Sequence, residues 1–198
     1  MVVRELKLDE SSYGLDSMSR ARAKSIKDAQ TIIASLRQKR RQTESELLPD
    51  IRTLRKCFHS GGLERNIPKI VRQPSEFLQL LDLAYKTNTN GSTPEHAYEQ
   101  LQPVANNITG LGPNWVTEIL HALDPSIYAV LNKNSVAGMA LAGIEFPAKP
   151  SKAVISGDVY GEFCRQGATL VKSLGLKNLS ELDLVFNYAY WNSEGGDE

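Results

Sequence analysis

The chain has 198 residues, with 23 Lys and Arg against 23 Asp and Glu and 41% apolar side chains, enough to bury a sizeable core as one domain or two small lobes. No run reaches the apolar length needed to cross a bilayer, and residues 1–10 alternate charge with hydrophobicity unlike a signal peptide, so a cytoplasmic protein with no membrane partner is expected. Cys57 and Cys164 have no Cys or His at ligand spacing, which excludes zinc and a four-cysteine iron–sulfur cluster; no metal and no cofactor is expected, and both thiols are expected to be buried and reduced.

The zero net charge divides unevenly along the chain. Residues 1–72 carry 16 Lys and Arg against 9 Asp and Glu, whereas residues 73–198 carry 7 against 14, so the N-terminal portion is the basic one. There a helix is expected over about Ser19 to Gln42, with Ala23, Ile26, Ala29, Ile33 and Leu36 inward at three- and four-residue spacing. Its densest basic run is Arg37, Lys39, Arg40 and Arg41, either an ordinary solvated face or a surface for nucleic-acid phosphates. Pro49 is expected to start a second helix bearing Ile51, Leu54 and Phe58, ended by Gly61-Gly62, and Ser75 to cap a third over Glu76 to Lys86. Thr93-Pro94-Glu95 opens the next, with Ala97, Leu101 and Val104 inward. A small-residue helix over Val136 to Ala142 allows close packing, and a proline-containing loop follows over Gly143 to Ser156. Two amphipathic helices are expected to end the fold, near Asp158 to Leu174 and from a Ser180 start, with Asp183 three residues on, to about Trp191. The acidic tail 194–198 is expected to be disordered. No segment shows period-two alternation and there is no internal repeat, so the fold class is all-α.

The motif with chemical content is Ile108 to Leu120, ITGLGPNWVTEIL. Gly110 and Gly112 suit a tight reversal between two apolar helical segments, and Pro113 suits the first turn of the helix that follows. Such a helix aims free N–H groups and the positive end of its dipole outward, an anion site that reads no base sequence. An ordinary helix–helix turn is the other reading of a lone Gly-x-Gly.

The segment resembles the helix-hairpin-helix of the DNA glycosylase superfamily, through Ile108, Gly110, Leu111, Gly112, Val116, Ile119 and Leu120. The likeness covers roughly residues 95–145, with 93–145 as hairpin and active-site region in a single domain over 1–198. It implies two helical subdomains around a cleft that receives a nucleotide swung out of double-stranded DNA. It also implies a catalytic aspartate after a short apolar extended segment. Here that segment is Tyr128, Ala129, Val130 and Leu131, and the position is Asn132. The lysine of strand-nicking members is replaced by Asn114, which removes the Schiff-base nucleophile and implies no lyase activity. Asn132 cannot supply the negative charge that stabilises an oxocarbenium-like sugar, but its amide can orient an attacking water. It also suits the N-cap of a helix starting at Lys133, and the two roles are compatible.

A base pocket needs aromatic surface to replace lost stacking, and the candidates are Trp115, Tyr128, Tyr160, Phe163, Tyr188, Tyr190 and Trp191, of which Trp115, in the first turn after the hairpin, and Tyr128 are preferred, with Asn114 and Lys133 as polar neighbours. Core packing is the alternative for the rings, and Lys133 suits a phosphate contact or, less conventionally, an amine nucleophile. Asp158 is a candidate substitute carboxylate, although Ser156 to Asp158 also reads as a helix start. The expectation is a monomeric, monofunctional glycosylase excising a damaged or modified base, in repair or in defence against modified phage DNA. The alternatives are a DNA-sensing module without catalysis, or a helical scaffold whose turn is only a turn.

Overall fold

The computed structural model describes residues 3, 7, 14–39, 41–147 and 155–192. Among them all regular structure is helical: α1 (Leu15–Gln38), α2 (Glu44–Cys57), a 3-10 turn (Glu64–Asn66), α3 (Ile67–Ile70), α4 (Pro74–Thr89), α5 (Pro94–Asn107), α6 (Pro113–Leu123), α7 (Lys133–Leu141), α8 (Gly157–Leu174) and α9 (Leu179–Asn192). The fold is all-α. No helix among the described residues is long and apolar enough to cross a membrane.

The first helix differs from its expected span because its inward line starts sooner. Leu15, Arg22, Ala29, Ile33 and Leu36 are its buried residues, so Arg22 takes an inward position while Ala23 is exposed. The second helix begins at Glu44, not Pro49. Thr43 and Glu46 form a reciprocal capping box, and Pro49 lies inside the helix, within the first two turns. The last helix is capped by Asn178, whose Oδ1 accepts from the N–H groups of Ser180 and Glu181, so Ser180 is its second residue and not its start. Cys164 is buried but Cys57 is only half-buried, against the expectation for both, and both are free thiols.

The centre of the molecule is α6. Nine of its residues are buried (Pro113, Trp115–Ala122), and it packs against α1, α4 and α5. A helix enclosed on every side has no solvated face for its polar residues, so each needs an internal partner. Thr117 Oγ1 accepts from the Leu131 N–H at 3.0 Å, and His121 Nδ1 lies 2.7 Å from the Tyr128 carbonyl oxygen. These bonds hold the extended segment 128–131, which lacks a neighbouring strand. On its other flank the Tyr160 hydroxyl donates to the Ala129 carbonyl at 2.9 Å, and the Ala129 N–H reaches Cys164 Sγ at 3.4 Å. Side chains thus satisfy a backbone that would otherwise be stranded in the core. The segment delivers the chain to the start of α7, which packs closely on α9: a Cβ at Gly138 would lie 2.1 Å from the Phe186 ring.

Candidate functional site

The α5–α6 connection is a tight hairpin. Gly110 has φ +86°, a left-handed conformation that glycine adopts freely, and a Cβ there would press within 3.2 Å of Lys69 and 3.3 Å of Asn66. Gly112 is different from what its spacing suggests. Its φ of −106° and ψ of −176° are open to any residue, and a Cβ there would meet nothing within 4 Å. It is the N-cap of α6 with no side-chain cap, so the first N–H groups of the helix are left to an outside acceptor. The turn is braced by Gln73, whose Nε2 donates to the Asn107 carbonyl and whose Oε1 accepts the Thr109 N–H, both at 2.6 Å. Exposed Lys69 from α3 therefore stands beside the turn, a cation that the sequence reading did not select.

Asn132 is the N-cap of α7 and 7% exposed. Its Oδ1 accepts the Ser135 N–H at 2.9 Å, and its Nδ2 donates to Ser60 Oγ at 2.8 Å. Ser60 in turn meets Glu118 with its N–H, 2.8 Å from Oε1, and with its hydroxyl. Around this chain of bonds stand Arg22 of α1, paired with Asp183 of α9, His121 one turn beyond Glu118, and His59. Asp183 also receives Asn187 Nδ2 at 3.0 Å, and Asn187 Oδ1 accepts from Asn134 at 2.6 Å. Five parts of the fold thus contribute polar groups to one buried region.

Burial pushes the Glu118 carboxyl up to about 7; neighbouring Asp183 adds to the rise, while the Ser60 hydrogen bonds and Arg22 oppose it. His121 is held below the usual imidazole range by desolvation first and by the Arg22 cation. Three buried polar atoms here, Arg22 Nε, Asp183 Oδ1 and His121 Nε2, have no hydrogen-bond partner. A perturbed carboxyl within an incompletely paired polar cluster is a pattern of functional sites. The adjoining cavity, lined by Ala129, Ser135, Met139, Phe163, Asp183 and Phe186 among others, is about 10 Å³, far smaller than a nucleobase.

The other residues selected from sequence are dispersed. Leu111 is in the core. Trp115 is 1% exposed, with its ring edge-on to Phe58 at 5.6 Å and Phe77 at 6.4 Å, so it would stack on a base only if the core opened. Tyr128 is enclosed as well, with its hydroxyl 3.3 Å from the Ser92 carbonyl. Half-buried Asn114 lies in the first turn of α6 and its Oδ1 is without a partner. Lys133 is exposed, 5.4 Å from the Tyr190 ring centroid. Asp158 is exposed in the first turn of α8, and among the described residues no hydrogen bond joins it to Asn132. In the basic run, Arg37 bonds Asp82 at 3.0 Å and lies over the Tyr85 ring, Lys39 bonds Asp50 at 2.6 Å, and Arg41 is exposed; Arg40 lies outside the described residues, as do Lys149, Lys152 and the tail 194–198.

Comparison with protein-family models, with curated proteins and with solved structures returns no match. The chemistry rests on the geometry alone. Among the described residues no group of three or more His, Cys, Asp or Glu could hold a metal ion. What the cluster offers is a carboxyl that changes charge near neutrality, joined through a hydroxyl to an amide. Sequence reasoning missed Glu118, Arg22, Ser60 and Asp183. The available signal was Glu118 with His121 three residues on, two ionisable groups in a stretch otherwise apolar all round.

Proposed function

We propose that this protein binds double-stranded DNA through the α5–α6 hairpin and hydrolyses the N-glycosidic bond of a damaged or modified base, leaving an abasic site. The observation that carries the reading is the turn itself: a left-handed Gly110, then an uncapped helix start at Gly112 with open space where a side chain would be. That arrangement suits a phosphate oxygen, which would accept from the helix N–H groups with Lys69 alongside. The likeness to helix-hairpin-helix glycosylases supports the fold-level part, two helical subdomains with a cleft between them. Asn132 begins α7 at the end of the extended segment, where that likeness puts the reaction centre, and Asn114 in place of a lysine favours hydrolysis without strand cleavage. A modified base that leaves more easily lowers the demand on charge stabilisation, which fits a centre without the aspartate and a role against modified phage DNA in the cytoplasm. The protein acts as a monomer in this reading.

One observation favours a second reading, a DNA-sensing module without catalysis: the cavity lined by Ser135 and Asp183, next to the polar cluster, is too small for a flipped base. The deciding experiment is base release from duplexes carrying uracil, an alkylated adenine, an oxidised guanine or a glucosylated hydroxymethylcytosine, with binding measured on the same duplexes. Release that Asn132→Ala abolishes without loss of binding supports the glycosylase. Salt-dependent binding with every base retained leaves the sensing module, and no binding at all removes both.

A further inference from the structure

Glu118 is the polar residue of α6 whose role the fold does not explain. Thr117 Oγ1 and His121 Nδ1 bond to the backbone of segment 128–131. Glu118 turns instead to the loop at Ser60, 3% exposed itself and bonded to a residue equally enclosed. A carboxylate in that position is costly to bury, and a neutral side chain would brace the loop as well. The Ser60 N–H donates to Glu118 Oε1 and Ser60 Oγ accepts from the Asn132 amide, and the Ser60 hydroxyl also faces the carboxyl, so Ser60 stands between Glu118 and the point where the proposed reaction lacks a negative charge. The orphaned atoms of Arg22, Asp183 and His121 independently mark the surrounding region as a polar centre.

We propose that Glu118 accepts the proton of the attacking water through the Ser60 hydroxyl, supplying from α6 the carboxylate that position 132 lacks; this rests on the base-release reading above. Asn132 holds Ser60 Oγ with one N–H of its amide, which fixes the hydroxyl between amide and carboxylate. In the reaction the water oxygen bonds to the sugar C1′ as the C1′–N bond breaks, and the bonding pair leaves on the base nitrogen. The water proton passes to Ser60 Oγ while the Ser60 proton passes to Glu118. The base nitrogen then takes that proton, so carboxylate and hydroxyl are restored and water is the only co-reactant. Glu118 is a positioning and proton-accepting residue; Ser60 is the group that touches the water.

The charged and titratable groups facing Glu118 are Arg22 on α1, Asp183 on α9, His121 on its own helix and His59 in the adjoining loop. Both imidazoles are held below their usual range, desolvation being the larger cause, so an ionisation near neutrality belongs to Glu118. The test is single-turnover base release from the duplex that the wild type processes, followed between about pH 5 and 9 for wild type, Glu118→Gln and Ser60→Ala, with thermal melts of each. The wild-type rate is expected to rise through about pH 7 and then level. Glu118→Gln is expected to lose about 100-fold or more and the rising limb with it, and Ser60→Ala to lose the limb with the carboxyl intact. A rising limb that survives in Glu118→Gln, or in Ser60→Ala should the glutamine variant fail to fold, overturns the relay and leaves the glycosylase standing. A wild type that releases no base from any duplex overturns the reaction and this role together.

Discussion

A carboxyl pushed up to about 7 from 4.5 makes a statement about stability that needs no substrate. The folded state binds a proton there that the unfolded chain has already lost, so the stabilisation is complete below about pH 4.5 and disappears as pH rises through 7. The difference amounts to about 3 kcal/mol. His121 works in the opposite sense, because its folded form favours the neutral ring: it contributes at pH above the ordinary imidazole value and the contribution is lost on acidification. Glu118 therefore draws stability down between about pH 4.5 and 7, while His121 draws it down on acidification below the ordinary imidazole range. In Glu118→Gln the first decline should flatten while the second keeps its slope. Thermal melts across pH check this, and an unchanged slope between about pH 4.5 and 7 would show that Glu118 ionises freely in the fold. None of this was legible from spacing, since Glu118 sits in a run whose apolar neighbours Val116, Ile119 and Leu120 dominate the pattern. Its partners Ser60 and Asp183 are 58 and 65 positions away in the chain.

The hairpin offers a substitution that separates binding from folding. Aspartate is a favoured N-cap residue, and Gly112 has ordinary extended backbone with free space around it, so Gly112→Asp should leave the fold intact or slightly more stable. The same carboxylate would fill and repel the anion position. DNA affinity is expected to fall by tenfold or more at low salt with no loss in melting temperature, measured by titration of a labelled duplex. Undiminished affinity would return the turn to being a connection between helices. At this scale the sequence was more readable. Helices α5, α7 and α8 lie close to their expected spans because Thr93, Asn132 and Ser156 are strong caps whose side chains accept the N–H three residues on. The start of α2 was missed because Pro49 drew attention from the Thr43–Glu46 box six residues earlier. Position in the turn was harder: two glycines read as equivalent, yet only Gly110 is required by conformation.

Across the whole molecule, the Arg22–Asp183 pair joins the first and last described helices inside the core. Removing one partner leaves a buried charge uncompensated, so Arg22→Met alone is expected to cost about 3–5 kcal/mol. Arg22→Met combined with Asp183→Leu should recover most of that loss, as read by urea denaturation; additive losses would mean that the pair is not coupled. The charge asymmetry of the chain predicted a basic surface near its N-terminal third, yet Arg37 and Lys39 meet acidic side chains and the cation at the hairpin is Lys69. Local periodicity cannot show which charges will be neutralised by distant elements.

The same pair spans 161 positions, and Ser19 reaches Glu181 across 162. During synthesis at about 5–20 residues per second, Arg22 emerges roughly 8 to 30 seconds before its partner exists. Once Leu123 has emerged, 60 positions and about 3 to 12 seconds before Asp183, the hairpin helix can assemble against α1, α4 and α5 while the polar centre beneath it lacks one wall. Under the proposed function a nascent chain would present the hairpin to DNA before its polar centre is whole, and the docking of α9 is the step that completes the centre.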